Sequence, residues 1–223
     1  LPTMCPSVER WYQACEYAAT YACSVSLLPT HRKETNRVVA RNRRIGVSII
    51  DWTGWIVAAS MHRVTAYMRK GYDIVRKTAA DRNSEAGVPE PVRVTTIKPG
   101  GTGPKLPGRT PGIGYPTFRE TLRRMRVASN NPICPVLDRA GVPFEPCYYD
   151  PTGTRIYEYP TVQGPAPPAE EVTLWEQAMN LLTVQREWAD NAVSNTLYFK
   201  PKYKLVYWRD ASTPKQEEWW SEL

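Results

Sequence analysis

The chain has 223 residues, 42% of them hydrophobic, with 29 Lys and Arg against 22 Asp and Glu and a formal net charge of +7. That size suits one large domain or two small ones with a real core, and the 21 prolines, scattered between periodic segments, argue for short connections and against disorder. No long apolar span or signal peptide is visible, which argues against a membrane partner and places the chain in a reducing cytoplasm.

Residues 6–28 read as a helix. Pro6 suits its first turn, Trp11, Cys15, Ala18, Ala22 and Val25 fall on one stripe, and Pro29 stops it. Residues 46–50 (GVSII) form a β-branched run that predicts a buried strand. A second helix is predicted over 58–80, with Val64, Tyr67, Met68, Gly71, Ile74 and Val75 on its face. Gly87 and Pro89 break the chain before the next predicted strand, 92–97.

That strand opens into residues 95–112, TTIKPGGTGPKLPGRTPG. Six glycines or prolines lie between Pro99 and Pro107. Proline removes backbone donors and glycine removes the Cβ constraint, so the segment cannot be a helix or a long strand. Its bare N–H groups, beside Lys98 and Thr102, have the makings of a phosphate cradle. The basic excess fits a polyanion or nucleotide partner as well as it fits a solvated surface.

Beyond the loop, Thr117 and Glu120 form a capping-box pattern. It predicts a helix carrying Phe118, Leu122 and Met125 with the basic set Arg119, Arg123, Arg124 and Arg126, which reads as a solvated face, with a phosphate or partner contact as the alternative. Residues 130–151 are turn-rich, with a short helix over 135–140, and 155–159 predicts a strand. Thr173 and Glu176 make a second capping box ahead of a stripe of Val172, Trp175, Met179, Leu182 and Ala189. Residues 191–199 alternate like a strand; from Lys200 the tail is weakly patterned, and 204–208 is a poor strand candidate. Strands alternating with helices predict βα units and a largely parallel sheet, in part of a barrel because only about four strands are visible.

Five cysteines without a CxxC support neither a disulfide framework nor a zinc knuckle, and nothing pairs His31 or His62 with them at metal spacing. Cys15 reads as a small buried apolar residue.

The wording of the loop resembles the phosphate-binding loop of ribonucleotide reductases, in the form of the monomeric adenosylcobalamin-dependent group: KPSGT, then Leu-Pro-Gly and Thr-Pro-Gly. Here it stands as Lys98, Pro99, Gly100, Gly101 and Thr102, then Leu106-Pro107-Gly108 and Thr110-Pro111-Gly112. Residues 24–31, 34–36 and 42–48 resemble the segment that follows the catalytic finger loop in that family. Residues 118–128, 156–160, 163–165 and 185–199 (QREWADNAVSNTLYF) are similar to its next elements, in unbroken order from about 5 to 200.

The resemblance implies an α/β fold, the C-terminal half of a ten-stranded α/β barrel, as a single domain over 1–223. It implies reduction of ribonucleotides to deoxyribonucleotides by thiyl-radical chemistry. Gly100, Gly101 and Thr102 would meet the phosphates of a ribonucleoside di- or triphosphate, with Lys98 and Pro99 beside them. The family's Asn-Pro-Cys-x-Glu radical site is missing. Asn131-Pro132-Ile133-Cys134 lies after the loop and has no Glu two residues past its cysteine. The closely spaced C-terminal cysteine pair is also missing, and Gly100 stands where the family has Ser. The expectation is therefore the C-terminal half of a split reductase. A separate N-terminal half would supply the catalytic groups and most of the adenosylcobalamin site, no metal would be bound here, an external dithiol would be the reductant, and the two halves would associate tightly. Two alternatives stand beside it: a holoenzyme, as in some phages, whose radical comes from a metal-containing subunit, and a non-catalytic remnant that binds nucleotide or nucleic acid.

Overall fold

The computed structural model describes residues 4–101, 103–105 and 107–199. Helix α1 (Val8–Ser26) starts where the Ser7 hydroxyl accepts the Arg10 N–H, and it buries Trp11, Cys15, Ala19 and Cys23 at successive steps of four. The predicted stripe is rotated slightly, since Val25 is 46% exposed. After α2 (Lys33–Asn42), the helix predicted over 58–80 is two helices, α3 (Trp52–Ala59) and α4 (Met61–Glu85). They are separated by Ser60, whose φ of 67° no helix tolerates. Helix α4 presents Val64, Met68, Gly71 and Val75 to the core as expected. At Gly71 a Cβ would sit 3.2 Å from both Cys15 Sγ and Trp11 Nε1, so glycine lets α1 and α4 cross closely.

Between these helices and α6 (Leu174–Glu187) run β1 (Val47–Ser48) and β2 (Thr95–Thr96), paired in parallel. Among the described residues the parallel ladder is limited to these two positions, shorter than both predicted strands. An indole cluster ties the layers together: Trp11 meets Trp55 edge-on at 5.2 Å and lies 6.0 Å from Trp188.

The larger sheet is antiparallel, in the order β3 (Glu120–Ala128), β5 (Asp150–Val162), β4 (Phe144–Cys147), with α5 (Cys134–Arg139) beside it. This corrects the helix predicted over 118–128. Burial along β3 alternates residue by residue, the signature of a strand, and Arg124 lies opposite Glu158 across the ladder. Val127, Cys134 and Tyr157 form a separate small core.

In α6 the capping box is present in full, but the buried residues are Gln177, Asn180 and Val184. The predicted stripe is largely exposed: Trp175 by 80%, Met179 and Leu182 by 57% each. Residues 191–199 form no strand. Glutamine side chains take the place of a ladder there: Gln177 bonds both the N–H and the carbonyl of Tyr198, and Gln185 Oε1 accepts the Val193 N–H. The weak candidate at 204–208 lies outside the described residues. No described helix is long and apolar enough to cross a membrane.

Candidate phosphate-binding loop

Two rigid legs carry the Gly/Pro loop. The outgoing leg is β2 and the residues after it. Buried Thr95 donates its hydroxyl to the Trp188 carbonyl and accepts the Asp190 N–H at 3.1 Å. Asn191 Nδ2 donates to the Thr95 carbonyl at 2.8 Å, and Trp188 Nε1 donates to that of Thr96 at 3.1 Å. The Asp190 carboxylate accepts the Val94 N–H at 2.8 Å and the Tyr72 hydroxyl at 2.9 Å. The segment Trp188–Asn191 therefore does for β2 what a neighbouring strand would do. One residue past Ile97, the Lys98 N–H donates to Ser48 Oγ at 3.0 Å.

The return leg is held by the end of β1 and the start of α3. The Asp51 and Trp52 N–H groups donate to the carbonyls of Thr110 and Gly112, at 3.0 and 3.2 Å. Asp51 Oδ1 accepts the Thr110 N–H at 3.3 Å and its hydroxyl at 3.0 Å. The Thr53 and Thr110 hydroxyl oxygens lie 3.0 Å apart, and Arg109 Nη1 is 3.7 Å from Asp51 Oδ2. The legs pack directly against one another: at Gly112, where φ is 52°, a Cβ would come within 2.6 Å of the Lys98 carbonyl oxygen.

The tip between the legs is open. Gly100 has φ 60° and Gly101 is exposed, with nothing within 4 Å of a Cβ built there. Among the described residues, neither amide donates to a main-chain carbonyl. Thr102 lies outside the described residues. Pro99 walls a cleft of about 160 Å³ that Pro111, Tyr115, Ser194, Asn195 and Thr196 also line. It has room for a phosphate group; whole-ligand pockets run to about 300–1,000 Å³. The Tyr115 hydroxyl accepts Asn180 Nδ2 at 2.8 Å, and burial pushes its pKa up. Lys98 is not part of this cleft; it lines another, of about 480 Å³, with Arg44, Tyr21 and Ser26. Of the five residues singled out by sequence, the structure thus joins Pro99, Gly100 and Gly101 in one tip and turns Lys98 to a different side.

Sequence reasoning missed Asp51, Thr53 and Thr110 as loop anchors, and Ser194–Thr196 as a cleft wall. The last of these lay inside a segment valued for its strand-like alternation. The cysteines behave as structural residues: Cys134 is buried with its thiol on the Ala128 carbonyl, and burial pushes the Cys15 thiol up to about 12. No group of three or more His, Cys, Asp or Glu suited to a metal occurs among the described residues.

No protein-family model matches the chain. Over 206 residues it is 34% identical to an adenosylcobalamin-dependent ribonucleoside-triphosphate reductase of Euglena gracilis, covering 92% of this chain and 28% of that protein. A probable reductase of the same kind from Dictyostelium discoideum is 33% identical over 196 residues, or 87% of this chain and 26% of its own. A crystal structure of a B-12-dependent (class II) ribonucleotide reductase superposes with a TM-score of 0.70 at 26% identity, covering 84% of this chain and 30% of that one. The expected part-barrel α/β architecture is borne out by that superposition, and the chain spans a little over a quarter of the length of these curated relatives.

Proposed function

We propose, from the kinship of nearly the whole chain with a segment of the adenosylcobalamin-dependent (class II) ribonucleotide reductases, that it furnishes the part of the catalytic barrel that grips the phosphates of a ribonucleoside di- or triphosphate. The observation that carries this is the open Gly100–Gly101 tip, whose amides donate to no main-chain carbonyl among the described residues and which is held between two braced legs. An oxyanion needs close approach of backbone N–H groups, which a Cβ at either glycine would obstruct. Braced legs leave less of the loop to be organised when the ligand arrives.

In this reading the chain binds and orients, and the hydrogen-abstracting cysteine, its carboxylate partner and the reducing cysteine pair come from the remainder of the barrel. That remainder is contributed either by the same polypeptide or, as in a split reductase, by a separate N-terminal half. Adenosylcobalamin supplies the radical when bound, and an external dithiol restores the reduced cysteines. The clefts near the loop, at about 160 and 480 Å³, do not fit a corrin ring with its nucleotide tail, so no step on this chain runs through that cofactor. The setting is a cytoplasm. Of the arginines that the alternative of polyanion binding would use, Arg124 on β3 is paired with Glu145 and Glu158, and Arg119, just ahead of β3, lies 3.8 Å from Glu171.

Gly101→Ala tests the reading. The variant should unfold like the wild type, since its Cβ meets nothing, and should bind ADP or ATP at least about tenfold more weakly. Undiminished binding in Gly101→Ala overturns the assignment. Mixing the chain with a separately made N-terminal half tests the split arrangement through deoxynucleotide formation. Omitting cobalamin from that mixture separates the two radical sources.

A further inference from the structure

We infer that Asp51 is a positioning residue for the Gly100–Gly101 tip, acting through Thr110 and Arg109; the inference rests on the phosphate-binding reading. An aspartate just ahead of a helix ordinarily caps the first amides of that helix. Asp51 occupies that place before α3 and makes no such side-chain bond. Its φ of 61° instead swings the residue so that main chain and side chain both face the loop.

The carboxylate is fully buried, and a buried charge is costly unless it is well partnered. Partners on the loop are Thr110, through its N–H and hydroxyl, and the Arg109 guanidinium. Gly54 leaves room for the carboxylate over the first turn of α3, since a Cβ there would fall 2.6 Å from Asp51 Oδ1. Gly164 closes the other side, its Cβ position 3.8 Å from Arg109 Nη1. From this anchor the contacts run on to the tip. The Arg109 N–H donates to the Pro104 carbonyl at 2.8 Å, and a Cβ on Gly100 would lie 3.2 Å from Pro104 Cγ. Asp51 thus fixes the turn against which Gly100 rests, as a supporting shell fixes the groups that touch a ligand.

The test uses the full chain, inorganic tripolyphosphate as probe, amide chemical shifts to follow binding and amide exchange to follow the return leg. Asp51→Asn keeps an acceptor for Thr110 but turns an amide NH₂ toward Arg109. Thr110→Val removes only the hydroxyl and serves if the first variant folds poorly. Both should weaken tripolyphosphate binding about tenfold. Both should speed exchange at Thr110 and leave Val47, bonded to the Val94 carbonyl, protected. Val75→Ala, a core truncation on α4 with equal or greater loss of stability, should leave affinity within about twofold. Arg109→Gln should cost less in the Asp51→Asn background than alone. If Val75→Ala weakens binding as much as Asp51→Asn, or if exchange at Thr110 is unaltered, the positioning role is overturned while the phosphate reading stands. If the wild type binds no tripolyphosphate, both fall.

Discussion

Thr95→Val exchanges a buried hydroxyl for a methyl of the same shape, so it isolates what the hydroxyl does. In the wild type that hydroxyl donates to the Trp188 carbonyl and accepts the Asp190 N–H. Thr95 is 0% exposed and Trp188 1%, so the orphaned carbonyl has no route to water. An orphaned buried polar group costs about 1–3 kcal/mol, and the Asp190 amide, in a half-buried residue, sits at the low end of that range. The expected loss is about 2–3 kcal/mol, equivalent to about 4–12 °C in melting temperature for a domain of this size. Thr95→Ser keeps the hydroxyl and gives up one methyl, about 1 kcal/mol. Urea and thermal unfolding followed by circular dichroism measure both. A Thr95→Val protein within about 0.5 kcal/mol of wild type, or a Ser variant as damaged as the Val variant, would show that the segment Trp188–Asn191 is not what holds β2.

Gly108→Ala should destabilise by about 1–3 kcal/mol in urea unfolding. Its φ is 67°, and a Cβ would stand 2.6 Å from the Val162 carbonyl oxygen. Native-state alkylation with iodoacetamide at mildly alkaline pH, read by mass spectrometry, should label half-buried Cys5 first; Cys15, pushed to about 12, should stay unmodified until the chain unfolds. The hydrogen bond from Arg69 holds the Glu187 carboxyl below the usual glutamate value. A depressed folded pKa contributes stability in full above the unfolded value of about 4.3, and that contribution is lost as pH falls through the folded pKa. Glu187→Gln should therefore flatten the acid side of a plot of urea midpoint against pH, and an unchanged acid slope would refute the pairing.

What the sequence made legible is what local rules decide. The stripe of α4 and the Thr173–Glu176 capping box depend on neighbours three and four residues away, and the structure keeps them, while it turns the stripe of α1 slightly, from Ala18 and Ala22 to Ala19 and Cys23. Strand β3 escaped because Leu122 and Met125 sit at helical spacing while Leu122, Arg124 and Arg126 sit at strand spacing. The choice was made by β5, whose Glu158 lies opposite Arg124 from far along the chain. The face of α6 misled for a different reason. Gln177 and Asn180 are buried because their amides serve the Tyr198 main chain and the Tyr115 hydroxyl, so hydrophobicity points away from the face that is packed. The loop itself was plain from its glycines and prolines, yet its anchors were not. Thr110 reaches 59 residues back to Asp51, and Thr95 reaches 93 residues forward to Trp188. Polar residues with no distinctive local pattern fix where the glycine tip stands. Asp51 stands in the place of a helix cap, yet its left-handed backbone and its bonds from Thr110 join its carboxylate to the loop.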